Sequence, residues 1–381
     1  MQRPTTTLEG GVHRADLTSG RPTRRSTAID ALLAEVPDLG TDVPASVDWA
    51  VRIGDLVPGP GLGRTLELWE TLASTAALDV GVARVLEPHL DALSILDQAP
   101  DGTDLAELGD TPSSWGVFAA EGPGVRLEAR PVGGGWQLDG VKPWCSLAAD
   151  LSHALVTAWT PTGRRLFAVS LRDDGVRPET GPWVSRGLRQ VVSAPVTFRS
   201  VRAIPVGDDE WYLTRPGFAW GGIGVAAAWW GGAVGVARDL FDSLGEREPD
   251  QIALAQLGAV DTSLRASRAA LLDAATVVDA PPSAADRAAG GHGDPLLGVS
   301  PGSAGAQTPS ILARRTRGTV ARTVEEVLTR SAHTRGPGPL TADERHARRV
   351  ADLAVYVRQH HAERDDASLG KALLSGGVRP W

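Results

Sequence analysis

The sequence predicts an α+β protein with an N-terminal helical domain, a middle β-barrel or β-sandwich domain and a C-terminal helical bundle. Apolar residues recur every three to four positions in the first and last parts of the chain, which is the helical period. Between them, short apolar runs alternate with Gly, Pro and Asp turns, as in sandwiches and barrels. The chain of 381 residues also exceeds the size of one core. We therefore divide it into a mobile arm (1–28), an N-terminal helical domain (29–112), a middle β domain (113–210) and the bundle (211–381).

The N-terminal part changes from polar to strongly helical. Residues 1–28 are polar and rich in Thr and Arg, which favours a mobile arm. A short helix is predicted over residues 29–36, where Pro37 would end it. Thr65 can cap a further helical pattern that continues to residue 93, and Pro88 predicts a kink or a division into two helices.

The middle part is predicted to be β because its apolar runs are short, rich in Val, Leu, Phe and Trp, and bounded by turn residues. Residues 116–119, 126–131, 137–141, 154–159, 166–171 and 191–198 are the predicted strands.

The C-terminal part begins with residues 216–237, which carry no charged side chain. Uncharged apolar runs of about 18 residues can indicate a membrane span, but the abundance of Gly and Ala favours a tightly packed buried helix reaching Leu244. Further helices are predicted over residues 251–278, 309–332 and 341–374, the last opened by a capping box of Thr341 and Glu344. Residues 279–308 are predicted to form a flexible loop or a loop that covers a ligand.

Composition excludes several classes of protein. The formal net charge of −8 and the pI near 5.5 argue against a nucleic-acid binder, which needs clustered positive charge. Cys145 is the only cysteine, so the chain forms no intramolecular disulfide and no thiolate metal cluster. No ligand set for a metal is evident, and His360 and His361 are adjacent. The N-terminus lacks the apolar core of a secretory signal, and we expect a cytoplasmic protein.

The first candidate site lies in residues 139–150, after a turn of three glycines. Trp144 offers a flat aromatic face, and Ser146 offers a hydroxyl that can donate or accept a hydrogen bond. Together they can contact one planar ligand. In the alternative interpretation, Trp144 belongs to the core of the β domain and Ser146 to a turn.

These residues carry a resemblance to a known family. The segment GGWQLDGVKPWCS, at residues 134–146, is similar to a motif of the acyl-CoA dehydrogenase superfamily of flavoproteins, and residues 188–205 are similar to its later strand motif. The resemblance implies an N-terminal helical domain, a middle β domain and a C-terminal four-helix bundle. It also implies bound FAD, with Trp144 against the isoalloxazine ring and Ser146 within hydrogen-bond reach of its N5 edge.

Two further segments resemble flavin-binding motifs of the family in part. Residues 120–124 retain Glu121 and Gly124 of a loop that normally continues with Ser and Asp, and that Ser-Asp portion is missing here. The resemblance implies that Arg247 and Gln256 contact the FAD of a neighbouring subunit in a homodimer or homotetramer. An arginine suits this role because its guanidinium can bind a pyrophosphate in bidentate fashion. A solvated charge at a helix start is the alternative for Arg247.

The family's catalytic glutamate is absent from both positions that the resemblance implies. One position falls at Gly222 or Ile223, and the other falls at or beside His360. His360 or His361 is a candidate base because imidazole titrates near neutral pH. Glu363, one turn further on, is the alternative candidate.

The sequence therefore predicts a flavoprotein that acts on a small-molecule substrate, with acyl-CoA as the candidate substrate. As an acyl-CoA dehydrogenase-like oxidoreductase it would oxidise a CH-CH bond of an acyl thioester with FAD. The alternatives are a flavin-dependent monooxygenase of the same fold and a non-catalytic subunit that lacks the base. The sequence does not identify the electron acceptor.

Overall fold

A computed structural model describes residues 14–18, 26–100, 103–109, 113–179, 181, 183–245, 248–280 and 308–376. The described chain passes from helices to a β-sheet and back to helices, so the predicted α+β class and the order of its parts are confirmed. The boundaries between domains stay a prediction.

Within the described residues, the N-terminal part contains four α-helices, and two of the predicted helix boundaries in it are wrong. Pro37 lies inside the first helix and does not end it, and the second helix was not predicted. The later helices are divided at Asp79, not at Pro88, because Asp79 is extended and its carboxylate accepts the backbone N–H of Val82 as a cap. The helices are α1 (Thr27–Leu39), α2 (Val43–Gly54), α3 (Thr65–Leu78) and α4 (Val80–Asp97).

Part of the predicted mobile arm is packed. Ala15 and Leu17 are buried in the core. The backbone N–H of Leu17 donates to Glu70 Oε1 at 2.8 Å, and that of Ala15 donates to Ser74 Oγ at 3.1 Å. The prediction is therefore wrong for these residues, and residues 1–13 and 19–25 of the arm lie outside the described residues.

In the described portion of the middle part, the strands form one seven-stranded sheet, which adds a short strand, Val176–Pro178, to the six that were predicted. Its order is β1-β4-β2-β3-β7-β5, and an additional β4–β5 pairing closes the path into a barrel. The strands are β1 (Trp115–Phe118), β2 (Leu127–Val132), β3 (Gly135–Ser146), β4 (His153–Trp159), β5 (Arg164–Ser170), β6 (Val176–Pro178) and β7 (Ser193–Val206).

The C-terminal part begins with a short helix and the long helix predicted from the uncharged segment. Gly231 explains why that segment is rich in small residues, because a Cβ there would lie 2.0 Å from the backbone oxygen of Ala73 on α3. None of the helices within the described ranges is long and apolar enough to cross a membrane. These helices are α5 (Trp211–Thr214), α6 (Pro216–Gly245), α7 (Gln251–Val278) and α8 (Pro309–Arg335).

The helix predicted over residues 341–374 is broken, and its capping box is wrong. Asp343 caps the middle piece by accepting the backbone N–H of His346. A single 3₁₀ turn (Val357–Gln359) and Ala362, at φ 48°, interrupt the helical backbone. The pieces are α9 (Gly338–Ala342), α10 (Glu344–Tyr356) and α11 (Glu363–Ser375). In the predicted loop 279–308, residues 281–307 lie outside the described residues.

Candidate active site

Trp144 lies on β3 at an irregularity in its pairing with β7. The register shifts between Lys142 and Cys145, and Trp144 adopts a left-handed backbone at φ 59°. Its side chain is 60% exposed. Residues other than Gly hold such a conformation at a cost of roughly 1–3 kcal/mol, and they concentrate at ligand clamps and active sites. An exposed indole in this conformation is available to stack on a planar ligand, so the core interpretation of Trp144 is wrong.

Ser146 ends the same strand, where the barrel meets α4. Its Oγ lies 2.7 Å from Ser193 Oγ on β7 and accepts a hydrogen bond of 3.2 Å from the Arg84 guanidinium. Leu147, the next residue, also has a φ of 59°. The hydroxyl is therefore held between the sheet and α4 by two hydrogen bonds.

Arg84 connects Ser146 with a polar cluster on two helices. Its guanidinium lies 3.4 Å from Glu87 Oε2, and the hydroxyl of Tyr356, on α10, donates to the same oxygen at 3.1 Å. The Arg84 guanidinium also lies 5.7 Å from the centre of the Tyr356 ring. Burial, reinforced by the Glu87 charge, raises the pKa of Tyr356 well above its usual value. Tyr356 therefore keeps its proton at neutral pH.

Glu87 also borders a small cavity between α3, α4 and α6. Most of its wall is apolar or glycine, and its polar groups come from Trp69, Glu87, Asp91 and Ser94. Burial raises the pKa of Asp91 to about 6, the nearby charge of Arg215 opposes this rise, and that of Glu87 adds to it. This cavity is the candidate site for a substrate.

Glu121 and Gly124, both predicted cofactor contacts, lie on the loop between β1 and β2. Glu121 Oε1 accepts a 2.6 Å hydrogen bond from buried Lys142 and lies 3.2 Å from Arg164. Burial acts to raise the pKa of Glu121, but the hydrogen bond and charge of Lys142 lower it overall. The carboxylate thus pairs with two cations of the barrel. Gly124 has a φ of 74°, a conformation that favours glycine.

Gln256 and Arg247 are the two residues predicted to contact the cofactor of a neighbouring subunit. Gln256 lies on α7, half-buried, and its Oε1 accepts a 2.7 Å hydrogen bond from Arg330. Arg247 lies outside the described residues. The assignment of all these residues to a flavin stays a prediction.

Comparison with known proteins identifies the fold. No protein-family model and no curated protein sequence match this chain. Solved structures do match. KijD3, solved with FMN and dTDP-3-amino-2,3,6-trideoxy-4-keto-3-methyl-D-glucose, superposes with a TM-score of 0.72 at 19% identity, over 92% of this chain and 93% of that one. TdsC from Paenibacillus sp. A11-2, with FMN and indole, gives 0.69 at 18%, over 92% and 96%. Butyryl-CoA dehydrogenase from Megasphaera elsdenii gives 0.69 at 15%, over 93% and 100%.

This chain has the acyl-CoA dehydrogenase fold. The alignments span nearly all of it, so the fold that the sequence motifs implied is confirmed. Identities of 15–19% establish the fold alone.

In this acyl-CoA dehydrogenase fold, one arginine joins the two positions where the resemblance implies a catalytic glutamate. Arg317, on α8, donates to the backbone oxygen of Gly222 at 2.7 Å and to that of Gln359, next to His360, at 3.1 Å. A Cβ built at Gly222 would lie 3.6 Å from Arg317 Cδ. The guanidinium also lies 4.7 Å from the centre of the Trp229 ring. A cation thus lies between the two positions where the resemblance implies a carboxylate.

The three predicted catalytic residues lie on the turn before α11 and at its start. His360 is buried, and its Nδ1 accepts the backbone N–H of Ala362 at 3.2 Å. Burial lowers the pKa of His360, and the charge of Arg317 adds to this while that of Asp365 opposes it. A neutral His360 then carries its proton on Nε2, so it is poised to donate and not to accept. His361 is 66% exposed, and Glu363 is also exposed. Both imidazoles lie near Asp365, His360 Nε2 at 3.8 Å and His361 Nδ1 at 3.6 Å, but only His360 is buried.

Sequence reasoning missed several polar residues of the site. Arg84, Glu87 and Asp91 lie three and four residues apart on α4, a spacing that places them on one face of a helix. That spacing of charges in an apolar helix was the available signal. No comparable local signal marks Tyr356 or Arg317, because only the packing of α8 and α10 brings them near α4 and α6.

Proposed function

We propose that this protein is a flavin-dependent oxidoreductase that acts on a small molecule in the cavity between α3, α4 and α6. One observation carries the proposal. Ser146, the predicted contact of the flavin N5 edge, is connected through Arg84 to Glu87, which borders the cavity. A flavin at Ser146 would therefore lie beside the group that borders the substrate site.

The residues at the barrel rim fit a flavin. Trp144 presents an exposed indole on a strained backbone, and Ser146 presents a hydroxyl fixed by two neighbours. A bound flavin supplies two-electron redox chemistry that no side chain of this chain provides. KijD3 and TdsC were solved with FMN. This chain lacks the Ser-Asp portion that follows in the family's flavin-binding motif after Gly124. For this reason also, we favour FMN over FAD.

Oxygenation is the chemistry that the site supports best. Dehydrogenation of an acyl thioester needs a base for the α-proton. Neither position where the resemblance implies that base has a carboxylate, and Arg317 donates hydrogen bonds to the backbone at or beside both. His360 uses its Nδ1 lone pair within the turn. TdsC is a dibenzothiophene monooxygenase, so an oxygenating enzyme exists on this fold. We infer a flavin-dependent monooxygenase.

Acyl thioester dehydrogenation remains the second candidate because Glu87 borders the cavity. Its carboxylate is paired with Arg84 and accepts a hydrogen bond from the Tyr356 hydroxyl, so both groups compete with a substrate for it. In either reaction, Arg84 orients Ser146, Tyr356 holds a proton at its hydroxyl, and Trp144 excludes water from the ligand face. A non-catalytic subunit is the third candidate.

The test begins with the cofactor. We expect the purified protein to carry flavin or to take it up, and the flavin released on denaturation to be FMN by chromatography. Ser146→Ala should retain less flavin, whereas Ser200→Ala, an exposed serine on β7, should retain the normal amount. A colourless protein that takes up neither FMN nor FAD would support the non-catalytic subunit.

The reaction class is tested separately. With reduced flavin and ¹⁸O₂, a monooxygenase transfers labelled oxygen to its substrate, and indole is the first substrate to try because TdsC binds it. Anaerobic bleaching of the flavin by butyryl-CoA would instead support dehydrogenation. If bleaching occurs and Glu87→Gln abolishes it, the dehydrogenase assignment replaces ours.

A further inference from the structure

Arg317 is a half-buried cation whose contacts are all with neutral groups. Its Nη1 donates to the backbone oxygen of Gly222 and its Nη2 to that of Gln359. The guanidinium also lies over the face of the Trp229 ring. Within the described residues, no carboxylate forms an ion pair with Arg317. A guanidinium keeps its charge at neutral pH and has more N–H groups than these two hydrogen bonds use, so donors remain for a ligand.

The carboxylates whose charges act on Arg317 already have other partners. Burial lowers the pKa of Arg317, and the charges of Asp365 and Glu87 oppose this. Glu87 is paired with Arg84. Asp365 accepts the backbone N–H of His361 at 3.1 Å. A partly buried charge without an ion pair is costly, so an anion bound at Arg317 would stabilise it.

Gly222 leaves room for such an anion. A Cβ built at Gly222 would meet only Arg317 within 4 Å, its Cδ at 3.6 Å and its Nη1 at 3.8 Å. No other atom of the described chain therefore fills the space beside the guanidinium on this side. Gly222 and Arg317 are both half-buried, so the space is accessible from outside.

This space adjoins the candidate active site. Trp229, which lies under Arg317, also contacts the ring of Tyr356 edge-on, with ring centres 6.2 Å apart. The Tyr356 hydroxyl donates to Glu87, in the polar cluster that Arg84 connects to the neighbouring strand end. One indole ring thus separates Arg317 from this cluster. A molecule with an anionic group at Arg317 would lie beside the predicted flavin site.

We propose that Arg317 binds the carboxylate of the substrate beside Gly222, and that the substrate is therefore an organic acid. A guanidinium suits a carboxylate because its planar N–H groups can bind both oxygens at once. This inference rests on the proposed function, because it names the class of substrate of the proposed oxidoreductase. The phosphate of a flavin offers similar oxygens, and the flavin content of the variants separates the two sources.

A matched pair of probes tests the inference by calorimetry on the protein as purified, at constant ionic strength. Phenylacetate carries a carboxylate, and phenylacetamide replaces it with a neutral group of nearly the same shape. We expect phenylacetate to bind about tenfold more tightly, because only the anion pairs with the guanidinium charge. Equal or tighter binding of the amide would overturn the inference, as would failure of phenylacetate to bind at millimolar concentration.

Variants at Arg317 and Gly222 assign the binding to this space. Arg317→Gln removes the charge and should weaken phenylacetate binding about tenfold or more, with a smaller effect on phenylacetamide. Arg317→Lys keeps the charge and should retain part of the preference. Gly222→Ala adds a methyl group beside the guanidinium with only ordinary contacts, so it should weaken phenylacetate binding. It should also raise the melting temperature, because alanine favours a helix over glycine. Weaker binding in a more stable protein cannot result from unfolding.

Arg322→Gln and Gly258→Ala are the matched controls. Arg322 lies on the same helix, exposed and paired with Asp366, so its loss changes the net charge by the same amount. Gly258 lies on α7, where an added methyl group meets no atom within 4 Å. Both variants should bind phenylacetate as the parent does.

The outcomes distinguish this inference from the proposed function. If Arg317→Gln binds phenylacetate as tightly as the parent, the inference is wrong even if the protein contains flavin. If Arg317→Gln loses flavin and Arg322→Gln does not, the anion at Arg317 is the flavin phosphate, and the inference is again wrong. A preference for phenylacetate that depends on Arg317 in a protein that takes up no flavin would retain the carboxylate site and reject the proposed function.

Discussion

Trp144 holds a conformation that favours glycine, yet its side chain is largely exposed to solvent. Packing against the protein therefore does not offset the strain. The same strand keeps Ser146 against Ser193 and Arg84. The combination fits a residue retained for a ligand, since the strain brings no stability to the fold.

Replacing Trp144 tests its backbone strain and its stacking on flavin separately. Trp144→Gly should unfold at a higher urea concentration than Trp144→Ala, by a free energy of about 1 kcal/mol, because glycine adopts positive φ freely. Both variants should lose flavin. Equal stability of the two would contradict the strain, and undiminished flavin content would contradict the stacking role.

At the scale of elements, one carboxylate connects the helical bundle to the loop before β7. Asp352, on α10, accepts the backbone N–H of Leu188 at 2.5 Å and is almost fully buried. Leu188 has a φ of 50°, and a Cβ on Gly187 would overlap the backbone oxygen of Ala351. Loop and helix thus approach so closely that only glycine fits at the contact.

The pH dependence of stability follows from Asp352. Burial raises its pKa from 3.8 to about 6, although the Leu188 hydrogen bond opposes the rise. Well below pH 4 the Asp352 carboxyl is protonated in both the native and the unfolded state, so its ionisation does not affect the free energy of unfolding. Between pH 4 and 6 the unfolded state loses its proton first, so the native state loses stability, and the loss is complete above pH 6.

Asp352→Asn should therefore be more stable than the parent at pH 7.5, by roughly 1–3 kcal/mol, with a smaller difference at pH 5. The amide oxygen can still accept the Leu188 N–H. Urea unfolding at both pH values measures this. Asp48→Asn, an exposed carboxylate on α2, serves as the control and should change little. If the stability gain of Asp352→Asn over the parent is smaller at pH 7.5 than at pH 5, the argument is wrong.

At the scale of the whole molecule, the candidate site lies where three parts of the chain meet. Ser146 comes from the barrel, Arg84 and Glu87 from α4, and Tyr356 from the bundle. Large apolar side chains are also exposed on α6 and α7, namely Phe241, Ile252 and Leu254. The homodimer or homotetramer stays a prediction, and these side chains are the candidates for its interface.

Light scattering tests the assembly. The parent protein should have the mass of a dimer or tetramer, and the double variant Ile252→Asp, Leu254→Arg should have the mass of a monomer. Val132→Arg, an exposed position on β2, should leave the mass unchanged. A monomeric parent would refute the predicted assembly.

The sequence by itself determined the order of helices, barrel and bundle and the span of the helix Gln251–Val278. It also nominated Trp144 and Ser146 as flavin contacts, which stays a prediction. These features depend on residues close together in the chain, through periodicity, turns and a local motif. Tertiary structure decided the rest. It brings Tyr356 within hydrogen-bond distance of Glu87, 269 positions away in the chain. It also places Arg317 between Gly222 and Gln359. No local pattern encodes such contacts, because they arise from the packing of helices that are distant in the chain.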